Sequence, residues 1–208
     1  MELEAVTIDA HGTLVRLRDP VPALREALAA RGVELSLDEV KRAFLAEVAY
    51  YVPRSHEGRD EATLALLRRD CARVFLEAAG AGLEAEEFAP AFLAALEFEE
   101  VPGAADACGE LVGAGLRLAI VSNWDVGLHE HITKLGLGEL VDAVVTSAEA
   151  GAPKPDPAIF ELALTQLGVE PSRAVHIGDA EADEEGARSA GMRFEPAPLA
   201  GAARRILA

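Results

Sequence analysis

Leu116-Arg117-Leu118-Ala119-Ile120-Val121-Ser122 is a run of branched apolar residues that stops on a hydroxyl. Its length and composition predict a buried β-strand whose last side chain is presented at the strand end. Three other segments repeat the design. Residues 3 to 9 (Leu-Glu-Ala-Val-Thr-Ile-Asp) end on Asp9, 142 to 146 (Asp-Ala-Val-Val-Thr) end on Thr146, and 173 to 178 (Arg-Ala-Val-His-Ile-Gly) lead into Asp179. Helical patterns at 104 to 113, 126 to 136, 157 to 167 and 183 to 190 alternate with the later strands, as expected of a parallel α/β sheet. Right-handed crossovers bring the carboxyl ends of such strands to one edge, where ligands bind. The polar strand ends are therefore predicted to converge.

Residues 19 to 97 break this alternation with consecutive helices. Asp19-Pro20 starts one that ends at Gly32. Ser36-Leu37-Asp38-Glu39 is a capping box opening the next, with Leu37, Val40, Phe44, Val48 and Tyr51 along one face. A third helix is expected from about Asp60 to Gly80, and Pro90 predicts a break near Ala89 in the fourth. The block reads as a helical lid inserted after the first strand. Tyr50 to Arg59, with two tyrosines, two arginines and a histidine, is a connection of the kind more often solvated than turned to a ligand, though its composition would also suit a pocket.

Composition narrows the function. The chain of 208 residues is 50% hydrophobic, enough for a real core, and carries a formal charge of −17 from 19 basic and 36 acidic residues. That charge argues against nucleic-acid and anionic-membrane partners. Met1-Glu2-Leu3-Glu4 lacks a cationic leader, and no stretch approaches the roughly 18 apolar residues of a membrane span, so a cytoplasmic protein is expected. Cys71 and Cys108 lie in apolar helical patterns without metal spacing and read as buried, reduced thiols. Only three of the 19 cations are lysines (Lys41, Lys134, Lys154), and Asn123 is the sole asparagine.

Four segments carry chemistry. In Asp9-Ala10-His11-Gly12-Thr13 a strand-end carboxylate can serve as a nucleophile, with Gly12 permitting a tight turn and Thr13 able to bond the backbone that aims Asp9. Ser122-Asn123 offers a short hydroxyl for an anion or, as ordinarily, a helix cap, and Trp124 beside it is a candidate pocket wall. In Lys154-Pro155-Asp156-Pro157, Asp156 caps a helix with Pro157 at its first position, leaving Lys154 as a compact cation at the sheet edge. His176-Ile177-Gly178-Asp179 continues to Asp183, and Asp9 with Asp179 suits Mg²⁺, which takes few carboxylates and keeps several waters. Glu181, Glu184 and Glu185 fit a first-turn dipole role.

Together these segments resemble, in order, the four motifs of the haloacid dehalogenase superfamily, over residues 6 to 192, with the inserted helices matching its helical cap. The resemblance implies a Rossmann-like, three-layer α/β core of residues 1–18 and 98–208 and a helical cap domain of residues 19–97. It also implies an Mg²⁺-dependent hydrolase of a small phosphorylated substrate, acting through an aspartyl-phosphate. Asp9, His11 and Lys154 would be catalytic, and Thr13, Ser122, Asn123 and Trp124 would bind substrate. The metal would be held by Asp9, the His11 backbone carbonyl, Asp179 and, from the second sphere, Asp183. His11 departs from the pattern, since the phosphatases carry an acid/base Asp there. An imidazole can transfer protons near neutrality; as a placeholder it would slow poor leaving groups. A 2-haloacid dehalogenase needs no such proton, but the family's dehalogenases lack the Gly-Asp pair present at Gly178-Asp179. A metal- and phosphate-binding protein with little turnover is the reading outside enzymology.

Overall fold

The computed structural model describes residues 2–208 as two compact units, Met1–Arg16 with Glu99–Ala208 and Leu17–Phe98. In the first, β1 (Ala5–Ile8), β4 (Arg117–Ser122), β5 (Ala143–Thr146), β6 (Ala174–Gly178) and β7 (Arg193–Pro196) form a parallel sheet in the order β5-β4-β1-β6-β7. Two further short strands, β2 (Val15–Leu17) and β3 (Phe98–Glu100), pair with each other where the chain passes from one unit to the other. Residues Ala5, Ala119, Val121, Val145 and Ala174 pack on α8 (Ala158–Leu167), on α9 (Glu181–Ser189) and on the turn after it, through Ile159, Phe160, Ala163, Ala187 and Met192. The opposite face is covered by α5 (Ala104–Gly113) and α10 (Leu199–Leu207). Both faces are thus buried, which is why these strands read as continuous apolar runs instead of alternating. Helix α6 (Leu128–Lys134) and the short α7 (Ser147–Ala150) follow β4 and β5.

The four strands expected from the sequence are present, and the fold is the α/β parallel sheet flanked by helices that they imply. Two elements lie beyond the reading. β7 is only four residues, half-buried and closed by Pro196, so it has no apolar run, and α10 is an alanine-rich helix whose buried side chains are Leu199, Ala202 and Ala203. The expected cap is displaced by one residue: Pro157 stands at the cap position with no side-chain bond, and Asp156, in the turn before it, accepts from the Ala158 N–H at 2.9 Å.

The second unit is built from α1 (Val21–Ala29), α2 (Leu37–Tyr51), α3 (Glu61–Ala79) and α4 (Ala85–Ala94) around Leu28, Val40, Leu67, Phe75, Phe88 and Phe92. The Ser36–Glu39 capping box is formed, and α3 runs between Asp60 and Gly80 as its caps. The break expected at Ala89 does not occur: α4 continues through Pro90. Phe88 and Phe92, on either side of that proline and both fully buried, hold the helix together across the lost backbone hydrogen bond. Residues Val52–Glu57, within the expected connection, form a 3₁₀ turn.

One polar side chain sits inside this helical core. Glu47 is buried, and desolvation raises its carboxyl to about 6 from an ordinary 4.5, while a hydrogen bond from Cys71 partly opposes the shift. An acid held above its ordinary value binds its proton more tightly folded than unfolded, so its ionisation opposes folding above about pH 6 and ceases to do so as pH falls towards 4.5. Glu47→Gln is expected to stabilise the protein by about 1–2 kcal/mol at pH 7.5 and by much less at pH 5. Denaturant melts at both pH values check this, and an equal gain at pH 5 would trace the effect to shape instead of charge.

Candidate active site

The register of the sheet assembles the site. Ile8 pairs with Ile120 on one side and Ile177 on the other, so the next residues along, Asp9, Val121 and Gly178, reach the same edge together. The Asp9 N–H continues the ladder to the Ile177 carbonyl at 2.8 Å. After Asp9 the chain doubles back at once, with the N–H groups of Leu14 and Val15 both donating to the Ala10 carbonyl. Gly12 sits in this turn at φ 85°, and a Cβ there would run into the Asp179 carboxylate. At the end of β6, a Cβ on Gly178 would overlap the side chain of Asp183. Both glycines are therefore spaces that carboxylates fill.

Asp9, Asp179 and Asp183 each place a carboxylate oxygen within 4.8 Å of the others. Lys154 lies among them, fully enclosed. Its ammonium donates to Asp9 Oδ1 at 2.5 Å, to Asp183 Oδ1 at 2.5 Å and to the Val121 carbonyl at 3.0 Å, which uses all three of its donors. The Ser122 hydroxyl donates to the same Asp9 oxygen at 3.3 Å. Asp9 Oδ2 accepts no hydrogen bond among the described residues, and so is the oxygen left available for bond formation.

Behind the cluster is a buried polar line that the sequence reading passed over. Thr7 and His176 are register partners on β1 and β6, and the Thr7 hydroxyl lies 2.8 Å from His176 Nδ1. His176 Nε2 is 3.1 Å from Asp183 Oδ1. A carboxylate can only accept, so Nε2 carries the ring proton and Nδ1 accepts from Thr7. The ring stands edge-on to Phe160 with centroids 4.9 Å apart. The available signal was that a polar residue inside a strand buried on both faces needs a partner, and His176 and Thr7 are each other's.

The charges follow from this packing. Burial pushes the Asp9 carboxyl above the ordinary carboxylate range, and Lys154 opposes that while Asp183 adds to it. Burial alone would lower the Lys154 ammonium, but Asp9 and Asp183 outweigh it and hold the proton on. Burial lowers the His176 imidazole, so the ring is a neutral donor. Burial would raise Asp183 too, but His176 and Lys154 hold it well below the ordinary range. Three carboxylates against one ammonium leave two negative charges uncompensated, which a divalent cation would balance. The donors are all oxygens, as Mg²⁺ prefers, and Asp179 is exposed where a hydrated ion can reach it. The residues present fit the metal.

The other expected site residues are placed as follows. His11 is exposed and its imidazole is not among the converging groups; its ring centroid is 6.4 Å from that of Trp124. Trp124 is itself buried, between His11 and His131, which limits it as a wall for ligand. The Thr13 hydroxyl, expected to bond the backbone near Asp9, is buried with no hydrogen-bond partner among the described residues. Asn123 turns its amide to the main chain of Lys154. Among the described residues neither cysteine is in a disulfide, both are buried, and no helix is long and apolar enough to cross a membrane.

Residues 3–191 match the family model of the haloacid dehalogenase-like hydrolases. The chain is 32% identical over 205 residues to the human haloacid dehalogenase-like hydrolase domain-containing protein 3, covering 92% of this chain and 80% of that protein. Its mouse counterpart is 49% identical over 79 residues, a match that spans only 32% of the mouse protein. A phosphoglycolate phosphatase of Rhodospirillum rubrum is 31% identical over 207 residues, covering 91% of this chain and 77% of that protein. Among solved structures, L-2-haloacid dehalogenase from Xanthobacter autotrophicus superposes with a TM-score of 0.67 at 25% identity, covering 92% of this chain and 76% of that one. Similarity thus extends to both phosphatase and dehalogenase.

Because the ionised Asp9 is disfavoured by burial, neutralising it should relieve the metal-free fold. Asp9→Asn is expected to raise the melting midpoint of the metal-free protein by about 2–5 °C near neutral pH. The difference should shrink as pH falls, since a raised acid opposes folding only where it is ionised, and should vanish or reverse at saturating Mg²⁺. A variant that melts lower under all three conditions would mean that the Asp9–Lys154 attraction outweighs burial.

Proposed function

Since the chain belongs to the haloacid dehalogenase-like hydrolases, we propose that it is an Mg²⁺-dependent phosphatase acting on a small phosphorylated metabolite through an aspartyl-phosphate on Asp9. The observation that carries this reading is the surplus of carboxylate over cation around a nucleophile with one free oxygen. A dehalogenase working on a neutral carbon–halogen bond has no need of a third carboxylate at the nucleophile. A phosphate dianion approaching Asp9 does need added positive charge, and Asp179 with Asp183 and Asp9 supplies the means to recruit it. Likeness to the Rhodospirillum rubrum phosphoglycolate phosphatase supports the same class.

Asp9 Oδ2 attacks phosphorus in line, the bond from phosphorus to the ester oxygen breaks, and the departing oxygen takes a proton from water, or from the His11 imidazolium where that residue serves as the acid. Water then attacks the same phosphorus, releases inorganic phosphate and returns Asp9 as a carboxylate. Asp9, Asp179 and the His11 carbonyl would hold Mg²⁺, with Asp183 behind them engaged with Lys154, His176 and the Ala180 N–H, and the ion's charge would neutralise the phosphoryl oxygens. Lys154 keeps Asp9 ionised and screens it from the incoming dianion, and Ser122 orients the Asp9 carboxylate and can turn to a phosphoryl oxygen. Residues 19–97 are read as the cap that selects substrate, and the cytoplasm as the setting. A second reading, metal and phosphate binding with weak turnover, is favoured by His11 alone: it stands where the family's phosphatases keep a carboxylic acid, and the imidazole is outside the cluster.

Phosphate release from an activated aryl phosphate is expected with Mg²⁺ and not with chelator, and Asp9→Asn should hold it below about a thousandth of wild type. Halide release from a 2-haloacid in chelator, without phosphate release, would overturn the phosphatase reading. Simple alkyl phosphates, which need protonation of the leaving oxygen, should react slowly. His11→Asp should then raise their rate by roughly 100-fold or more while leaving the aryl phosphate nearly unchanged. Loss of the alkyl rate in that variant, with the aryl rate kept, would instead identify the imidazole as the acid.

A further inference from the structure

Asn123 is the only asparagine in a chain that otherwise does without the residue. Phosphate chemistry gives no reason for it, since its side chain is already engaged. Asn123 Oδ1 accepts from the Lys154 N–H at 2.7 Å, and Asn123 Nδ2 donates to the Lys154 carbonyl at 3.1 Å. The two contacts grip both polar groups of one residue's backbone, as a neighbouring strand would. Pro153 and Pro155 on either side have no N–H, so this is the only main-chain donor in the three-residue stretch. We propose that Asn123 is a positioning residue: its amide fixes the main chain of Lys154 and thereby sets where the ammonium meets Asp9. The inference rests on the reading that Lys154 works with Asp9 as described above.

Two residues at the end of β4 then hold the lysine, one at each end, and the residue between them bonds the carboxylate that the lysine meets. The Val121 carbonyl takes the ammonium at 3.0 Å, Ser122 meets the same Asp9 oxygen, and Asn123 takes the peptide. A four-carbon side chain is otherwise free to rotate, and holding its root as well as its tip removes that freedom. Asparagine suits the task because its planar amide carries an acceptor and a donor at the spacing of a peptide C=O and N–H. Aspartate has no donor, serine is too short for both contacts, and glutamine adds a rotatable bond.

Asn123→Ala is expected to lower kcat on an activated aryl phosphate by about 10- to 100-fold, with KM changing less than about threefold. Asn123→Asp keeps the shape and the acceptor but sets a carboxylate against the Lys154 carbonyl; it should lose at least as much, and it carries the test if the alanine variant fails to fold. In a Lys154→Ala background, Asn123→Ala should change kcat by less than about twofold, because there is no ammonium left to position. Losses that multiply independently, or a wild-type kcat in both single variants, would overturn the proposal. A second measurement does not depend on turnover. Acylation of Lys154 in the full-length protein by a water-soluble amine reagent, read by peptide mass spectrometry, should be slow in wild type and at least tenfold faster in either variant. An unchanged labelling rate counts against the proposal. If wild type releases no phosphate at all, the phosphatase reading falls while the labelling result still decides the role of Asn123.

Discussion

The site depends on one buried ammonium. Lys154 has left water entirely, which is tolerable only because each of its donors meets an oxygen, two of them on carboxylates. The converse also holds: Asp9 and Asp183 can be ionised away from solvent because the lysine lies between them. Removing the lysine would leave two carboxylates facing each other in a poorly screened place. The cluster is therefore a cooperative unit, and the sheet edge that carries it has little freedom to drift.

That cooperativity has an open end. The ammonium balances one carboxylate of three, and the exposed Asp179 stands next to the space that Gly12 leaves free of a side chain. A site with a built-in charge deficit is held together by geometry until a cation arrives. The strain falls on Asp9, whose carboxyl is pushed up by burial while the chemistry asks it to be an anion. On the proposed reading stability and reactivity are opposed at this residue, and a divalent ion would reconcile them.

The helical unit shows a milder case of the same physics. Glu47 sits among Val40, Ala43 and Cys71 with only a thiol to bond, so it holds its proton to about pH 6. There burial acts with only a thiol against it, whereas at the sheet edge Lys154 opposes the same burial at Asp9 and, with His176, outweighs it at Asp183. Pro90 makes a related point, for two buried phenylalanines override a local rule that favours a break.

The order of strands and helices, their parallel sense and the strand ends bearing Asp9, Ser122 and Asp179 were legible in the amino-acid sequence, because apolar runs and caps are local properties. The meeting of residues 9, 122, 154, 179 and 183 was implied by that order, since parallel strands share one carboxyl edge. The partners of the polar side chains were not. Asn123 holding the Lys154 peptide, His176 aligned between Thr7 and Asp183, Thr13 without a bond and Trp124 enclosed by two imidazoles all follow from strand register and from contacts between residues far apart in the chain. A hydrogen bond fixes both of its ends in space, and only the folded chain brings the second end within reach.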